Sequence, residues 1–150
     1  MSHVATVDLE IRDLDALGEA AKRIGMRLVL GQATYQWWGH SVGDYAMPEG
    51  FAEEDLGKCD HALVVEGAHA STYEVGVVKR RDGRDGFLLQ WDFYAGGCGL
   101  EAVVGTDCGK LKQAYATVVA AKQLRRQGYS VTETVNTDGA VILQARGGRL

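Results

Sequence analysis

The chain has 150 residues, a net charge of −4, and hydrophobic and charged fractions of 46% and 24%. A chain of about 150 residues suits one domain that buries roughly 70% of its unfolded surface. Such a domain needs no disulfide or structural metal to be stable. The acidic balance counts against nucleic acid as the main partner, which a basic patch would mark. We therefore expect a single domain over residues 1–150.

The N-terminus and the cysteines bear on the compartment. Residues 1–5 lack a basic region followed by an apolar stretch, so we expect no secretory signal. No apolar run approaches the roughly 20 residues of a membrane helix. The three cysteines are an odd number and lack the regular spacing of a disulfide framework, which is typical of free thiols in a reducing compartment. The sequence predicts a cytoplasmic protein with no membrane contact.

The opening of the chain predicts a strand, a helix and a second strand. Residues 2–11 alternate apolar and polar side chains, as a half-buried strand does. Asp13 is a suitable N-cap for a helix with apolar residues at helical spacing, and Gly25 is placed to be the left-handed residue after its end. A strand follows over 26–33, and a bulge at a glycine would extend it to Trp38.

Residues 40–60 break this pattern with several glycines, the only proline and a group of carboxylates. We predict a long acidic surface loop, inserted between strands, with one helical turn from Pro48 to Leu56. Irregular loops beyond about 15 residues are uncommon and are often functional. The loop is therefore the first place to look for specificity.

The second half predicts five further strands and one long helix. The predicted elements are strands 61–66, 73–79 and 87–94, a glycine-rich connector 95–105, an amphipathic helix 107–127, and a hairpin of 129–135 with 140–145. The stretch 87–135 is interpreted as the unit on which the other segments pack. The predicted fold is α+β: a mixed, largely antiparallel sheet with two helices on one face, in the order β-α-β, loop, β-β-β, α, β-β.

These residues resemble a known family. The resemblance rests on Met1-Ser2-His3, the β-α-β opening, the strand with Trp91, Leu111 to Tyr115-Ala116, and Gln127 to Val131 with Asp138-Gly139. They are similar to the plastid and cyanobacterial hypothetical open reading frame 35 family, also catalogued as domain of unknown function 1257. Residues 40–60 depart from its compact pattern. The resemblance implies a soluble protein without established activity, whose bacterial relatives are sometimes genetic neighbours of AAA-type ATPases.

The cysteines are the candidate chemical groups. Cys59, His61, Cys98 and Cys108 offer the ligand types of a zinc site, but only Cys59 and His61 are close in sequence, and their spacing is tighter than usual. We expect no metal and no cofactor. The glycine-rich connector matches neither common phosphate-binding motif. Cys98 or Cys108 with a histidine leaves a thiol-dependent enzyme, or a small-ligand binder, as the alternative function.

The run Trp37-Trp38-Gly39-His40 is the most unusual local feature. In a strand the two indoles face opposite sides, so one can fill the core while the other meets a partner. We favour the alternative that both are buried, with the acidic loop folded over the second, because large aromatic side chains usually face inward. Two basic clusters, 79–84 and 122–126, leave nucleic-acid binding as a weaker alternative. The candidate binding residues are Trp38, His40, Trp91, Arg81 and Arg84.

The sequence thus predicts an accessory or interaction protein rather than an enzyme. The expected partner is another protein, and the resemblance suggests an ATPase. A homo-oligomer is left open, because no feature of the sequence decides the oligomeric state.

Overall fold

A computed structural model describes residues 2–147 and shows an α+β fold, as predicted. The strands are β1 (Val4–Ile11), β2 (Met26–Leu30), β3 (His61–Val65), β4 (Val75–Lys79), β5 (Phe87–Asp92), β6 (Ser130–Val135) and β7 (Val141–Arg146). The helices are α1 (Leu14–Arg23), α2 (Leu100–Val104) and α3 (Gly109–Arg126). No helix within residues 2–147 has the length and apolar character needed to cross a membrane.

The main sheet has five strands in the order β1-β5-β4-β3-β2, and every neighbouring pair is antiparallel. Strands β2 to β5 form a meander, since each pairs with the next along the chain. β1 pairs with the outer side of β5, so β1 and β2 lie at opposite edges. The predicted β-α-β opening is present as a succession of elements, but its two strands do not pair.

The helices cover one face of this sheet and form the core with it. The shared core includes Val7, Leu89 and Trp91 from the sheet, Leu17 from α1, Leu100 from α2, and Leu111 and Val118 from α3. Asp13 caps α1 by accepting a hydrogen bond from the Ala16 N–H at 3.0 Å, as its position predicts. Lys122 of α3 donates to the same carboxylate at 2.6 Å and lowers its pKa. The cap therefore also joins the two longest helices.

The long loop between β2 and β3 covers the opposite face of the sheet. β2 ends at Leu30, since Gly31 turns the chain with a φ of 79°, so the predicted extension to Trp38 does not form. Tyr35 is buried and lies directly over Gly76 of β4: a Cβ built there would stand 2.3 Å from the tyrosine Cδ1. The helical turn predicted from Pro48 to Leu56 is a single 3-10 turn at Glu53–Asp55. The loop is thus a packed layer.

The glycine-rich connector has an unusual backbone and includes a helix that the sequence did not predict. Ala95 to Cys98 all have left-handed φ values, between 50° and 73°. Such a conformation strains Ala95 and Cys98 by roughly 1–2 kcal/mol each, whereas the two glycines adopt it readily. α2 follows at once. Asp107 is also left-handed, and α3 begins two residues later than predicted.

The C-terminal hairpin is a separate two-stranded sheet of β6 and β7. Arg23 of α1 donates two hydrogen bonds of 2.9 Å to Glu133. Gln113 of α3 donates to the carbonyl of Gly139 at 3.1 Å. The hairpin itself is confirmed, but the interpretation of 87–135 as the central unit is wrong, because β5 and β6 belong to different sheets.

Candidate functional site

The buried carboxylate of Asp92, at the end of β5, holds three separate segments together. Its Oδ1 accepts hydrogen bonds from the backbone N–H groups of His3 (2.9 Å) and Tyr94 (3.2 Å), and its Oδ2 accepts one from Trp38 (3.2 Å). The carboxylate is fully buried. A buried carboxylate needs such donors to replace its lost water. Asp92 therefore fixes the backbone of three residues that each carry an aromatic ring.

Those rings and their neighbours form a surface of four exposed rings around the half-buried His3, which we call the aromatic patch: His3, Trp38, His40, Tyr45 and Tyr94. Exposed fractions are 50% for Trp38, 44% for Tyr45 and 38% for Tyr94. The His3 ring stacks on Tyr45 and meets Tyr94 edge-on, with both centroid distances at 4.9 Å. His3 also lies 3.0 Å from the carboxylate of Asp44. The patch is an aromatic surface on an anchored backbone.

The predicted binding residues fall into three places. Trp38 and His40 belong to the aromatic patch, with ring centroids 5.9 Å apart. Trp91 is buried in the core beneath the helices, so its indole is not available to a partner. Arg81 and Arg84 lie at the tip of the β4–β5 hairpin, where Arg84 pairs with Glu10 of β1.

The two adjacent tryptophans differ in exposure, so the favoured expectation that both are buried is wrong. Trp37 is half-buried and packs over Gly57, where a Cβ would stand 2.2 Å from its indole nitrogen. Trp38 is the exposed member of the pair. The sequence did not reveal Asp92, His3, Tyr45 or Tyr94 as parts of the site. They belong to three segments that are far apart along the chain and converge only through the fold.

A cavity of about 700 Å³ lies beside the patch, on the loop-covered face of the sheet. Its sheet side is formed by Val4–Thr6 and Leu88, its loop side by residues 45–51, and its far end by residues 80–82. The Arg81 guanidinium carbon lies over the Phe51 ring, 4.3 Å from its centroid, and Arg81 Nη1 lies 2.9 Å from Asp55 Oδ2. Tyr45 belongs to both the cavity and the aromatic patch, so the two are continuous.

The cysteines do not form a cluster. Within residues 2–147, no group of three or more histidine, cysteine or acidic side chains is arranged to hold a metal ion. The Cys59 thiol donates to the carbonyl of Gln32 at 3.1 Å, and burial raises its pKa to about 11. Burial also raises the pKa of Cys108 to about 12. Cys98 is exposed.

In the native protein at neutral pH, Cys98 is expected to react with a disulfide reagent well before the other two thiols. The thiolate is the reacting form, and the raised pKa values keep Cys59 and Cys108 protonated. A time course with an aromatic disulfide, followed by absorbance, should show one fast thiol that Cys98→Ser removes. A fast phase that survives this substitution would contradict the assignment.

The second basic cluster lies along α3, and its first member is already paired. Lys122 binds Asp13, while Arg125 and Arg126 are in the last turn, where positive charge suits the helix dipole. Arg80 and Arg84 in the first cluster pair with acidic side chains. Much of this positive charge is therefore balanced by neighbouring carboxylates.

Together, the fold and the site define an α+β protein with a five-stranded antiparallel sheet, helices on one face, a packed loop on the other, and an aromatic surface at one end. Comparison with protein-family models, curated proteins and solved structures gives no match to this chain.

Proposed function

We propose that this chain is an interaction protein that binds a partner protein through the aromatic patch. One observation carries the proposal: Trp38, Tyr45 and Tyr94 are exposed, while the Asp92 carboxylate fixes the backbone of Trp38 and Tyr94. Tryptophan and tyrosine are the commonest anchors of protein interfaces. A fixed backbone lowers the entropy lost on binding.

The surroundings of the patch suggest the chemistry of the partner. The loop next to it carries Asp44, Glu49, Glu53, Glu54 and Asp55. We infer a partner surface that combines an apolar pocket with basic side chains, because opposite charges favour encounter and orientation. The resemblance to the open reading frame 35 family adds an AAA-type ATPase as the first partner to test.

The test is affinity capture of the tagged chain from native lysate, with partners identified by mass spectrometry and the complex then titrated with purified components. Trp38→Ala and Tyr45→Ala are expected to weaken binding by at least about thirtyfold, as truncation of an interface anchor does. Because both side chains are exposed, neither variant should lower the melting temperature appreciably.

Tyr129→Ala is the matched control, since Tyr129 is as exposed as Tyr94 but lies next to the separate β6–β7 hairpin. This variant should bind as the unaltered chain does. Equal binding by all three variants would refute the proposed function. A large loss of stability in Trp38→Ala would instead assign that indole to packing.

A further inference from the structure

The outer edge of β1 has backbone groups that point away from its neighbour. The Phe93 N–H donates to the carbonyl of His3 at 3.0 Å, so these residues form a hydrogen-bonded pair in the β1–β5 register. Bonded and non-bonded pairs alternate in an antiparallel ladder. Val4 and Thr6 are therefore non-bonded positions, and their N–H and C=O groups point outward. Val4 is only 4% exposed and lies beside loop residues 45–48, whereas Thr6 is exposed.

A bond on the other side of β5 supports the same alternation. The Arg80 N–H donates to the carbonyl of Gly86 at 3.1 Å, which continues the β4–β5 register and makes Gln90 a bonded position toward β4. Gln90 is the partner of Thr6 in the β1–β5 register. The backbone N–H and C=O of Gln90 point toward β4. Because Thr6 is the partner of Gln90, its own N–H and C=O must point away from β5.

These outward groups border the cavity. Val4 and Thr6 both line it, and its opposite wall is the loop from Tyr45 to Phe51. In the part of the chain that the structure describes, neither residue has a backbone hydrogen bond outside the sheet. An unpaired strand edge next to a side-chain cavity is the arrangement that binds an extended peptide as an added strand.

The charges at the cavity favour a basic peptide. Within residues 2–147, the ion pairs of the covering loop use Asp44 and Asp55, while Glu49, Glu53 and Glu54 have no basic side chain within 4 Å. The arginines at the hairpin tip are paired with Glu10, Asp82 and Asp55. Of these carboxylates Glu49 lines the cavity itself, so a basic side chain of a bound segment would meet an unpaired carboxylate there.

We propose that the free edge of β1 binds an extended segment of the partner protein, with an apolar side chain in the cavity and a neighbouring lysine or arginine facing the acidic loop. The proposal rests on the proposed function and names how its partner is held. The added strand would pair with the exposed backbone of Thr6. Alternate side chains of this segment would enter the cavity, because successive residues of a strand face opposite sides.

The probe is a display library of short random peptides, selected against the full chain and resynthesised for titration. The selected peptides are expected to share an apolar residue next to a lysine or arginine. On binding, the Thr6 amide should become protected from hydrogen exchange, as measured by NMR. A peptide methylated at the contacting backbone nitrogen should bind about tenfold more weakly, since it loses one hydrogen bond.

Thr6→Pro removes the outward N–H at the edge where proline is tolerated, and should weaken peptide binding about tenfold. Leu30→Pro is the matched control at the opposite edge, because Leu30 also occupies a non-bonded, exposed position of an outer strand. It should leave peptide binding unchanged. Circular dichroism and melting would verify that both variants fold.

Failure to select any peptide would overturn the proposal, as would protection of β1 amides that leaves Thr6 unprotected. If sedimentation shows a dimer of this chain that Thr6→Pro dissociates, the edge binds a second copy and the proposal is also wrong. If Trp38→Ala abolishes capture of the partner protein while Thr6→Pro does not, the interaction function stands and only the strand pairing fails. If neither substitution weakens capture, both the proposed interaction function and the strand pairing are refuted.

Discussion

Replacing Asp92 with alanine is expected to lower the free energy of unfolding by on the order of 3–5 kcal/mol. The substitution leaves the backbone N–H groups of His3, Trp38 and Tyr94 without their acceptor. These hydrogen bonds are partly buried, so each donor that loses its partner costs about 1–2 kcal/mol, toward the lower end of the range for buried groups. Urea unfolding followed by tryptophan fluorescence would measure the loss.

Two further variants sharpen this prediction. Asp92→Asn retains one acceptor oxygen, so its loss should be smaller, about 1–3 kcal/mol. Glu66→Ala removes an exposed carboxylate paired with Arg27 and should change stability by less than about 1 kcal/mol. Equal effects of Asp92→Ala and Glu66→Ala would show that the buried carboxylate does not hold the three segments.

The Asp92 variants also connect stability with the proposed function. Since the carboxylate fixes the backbone of the aromatic patch, Asp92→Asn should weaken partner binding even at temperatures where the chain is folded. Trp38→Ala, by contrast, should weaken binding without a loss of stability. The two substitutions thus separate a residue that positions the patch from one that contacts the partner.

The second large effect is expected at Gly76, where alanine should destabilise the fold by about 3 kcal/mol. The new Cβ would stand 2.3 Å from Cδ1 and 2.6 Å from Cε1 of Tyr35. The tyrosine is only 2% exposed, and burial raises its pKa to about 12, so its ring has no solvent space into which to move. Thermal and urea unfolding would give the size of the effect.

A double-mutant cycle would tie this loss to Tyr35. Tyr35→Ala alone should cost about 3–5 kcal/mol, since it empties the layer between loop and sheet. In its absence Gly76→Ala should be nearly harmless, so the two losses should fall short of additivity by more than about 1 kcal/mol. Gly109→Ala is the control, because nothing lies within 4 Å of its Cβ position at the start of α3. Additive losses would mean that the Tyr35 ring is not what excludes a side chain at Gly76.

Local pattern in the sequence was enough to locate α1, α3 and every strand, with small errors at their ends. The reason is that apolar periodicity, the Asp13 cap and the Asp-Gly turns act over a few residues. The same reasoning missed α2, since a helix of five residues between glycines has too few turns to show a period. It also placed the start of α3 too early, because Asp107 was interpreted as part of the helix.

Long-range pairing decided the rest. The pairing of β1 with β5, the separate position of β6 and β7, and the packing of Tyr35 on Gly76 all join residues distant in sequence. The site depends on such contacts too: His3, Trp38 and Tyr94 become neighbours only because one buried carboxylate accepts from all three. The sequence by itself determined the elements. Tertiary structure alone exposed Trp38 and brought the site together, since no short-range pattern encodes which distant segments share one acceptor.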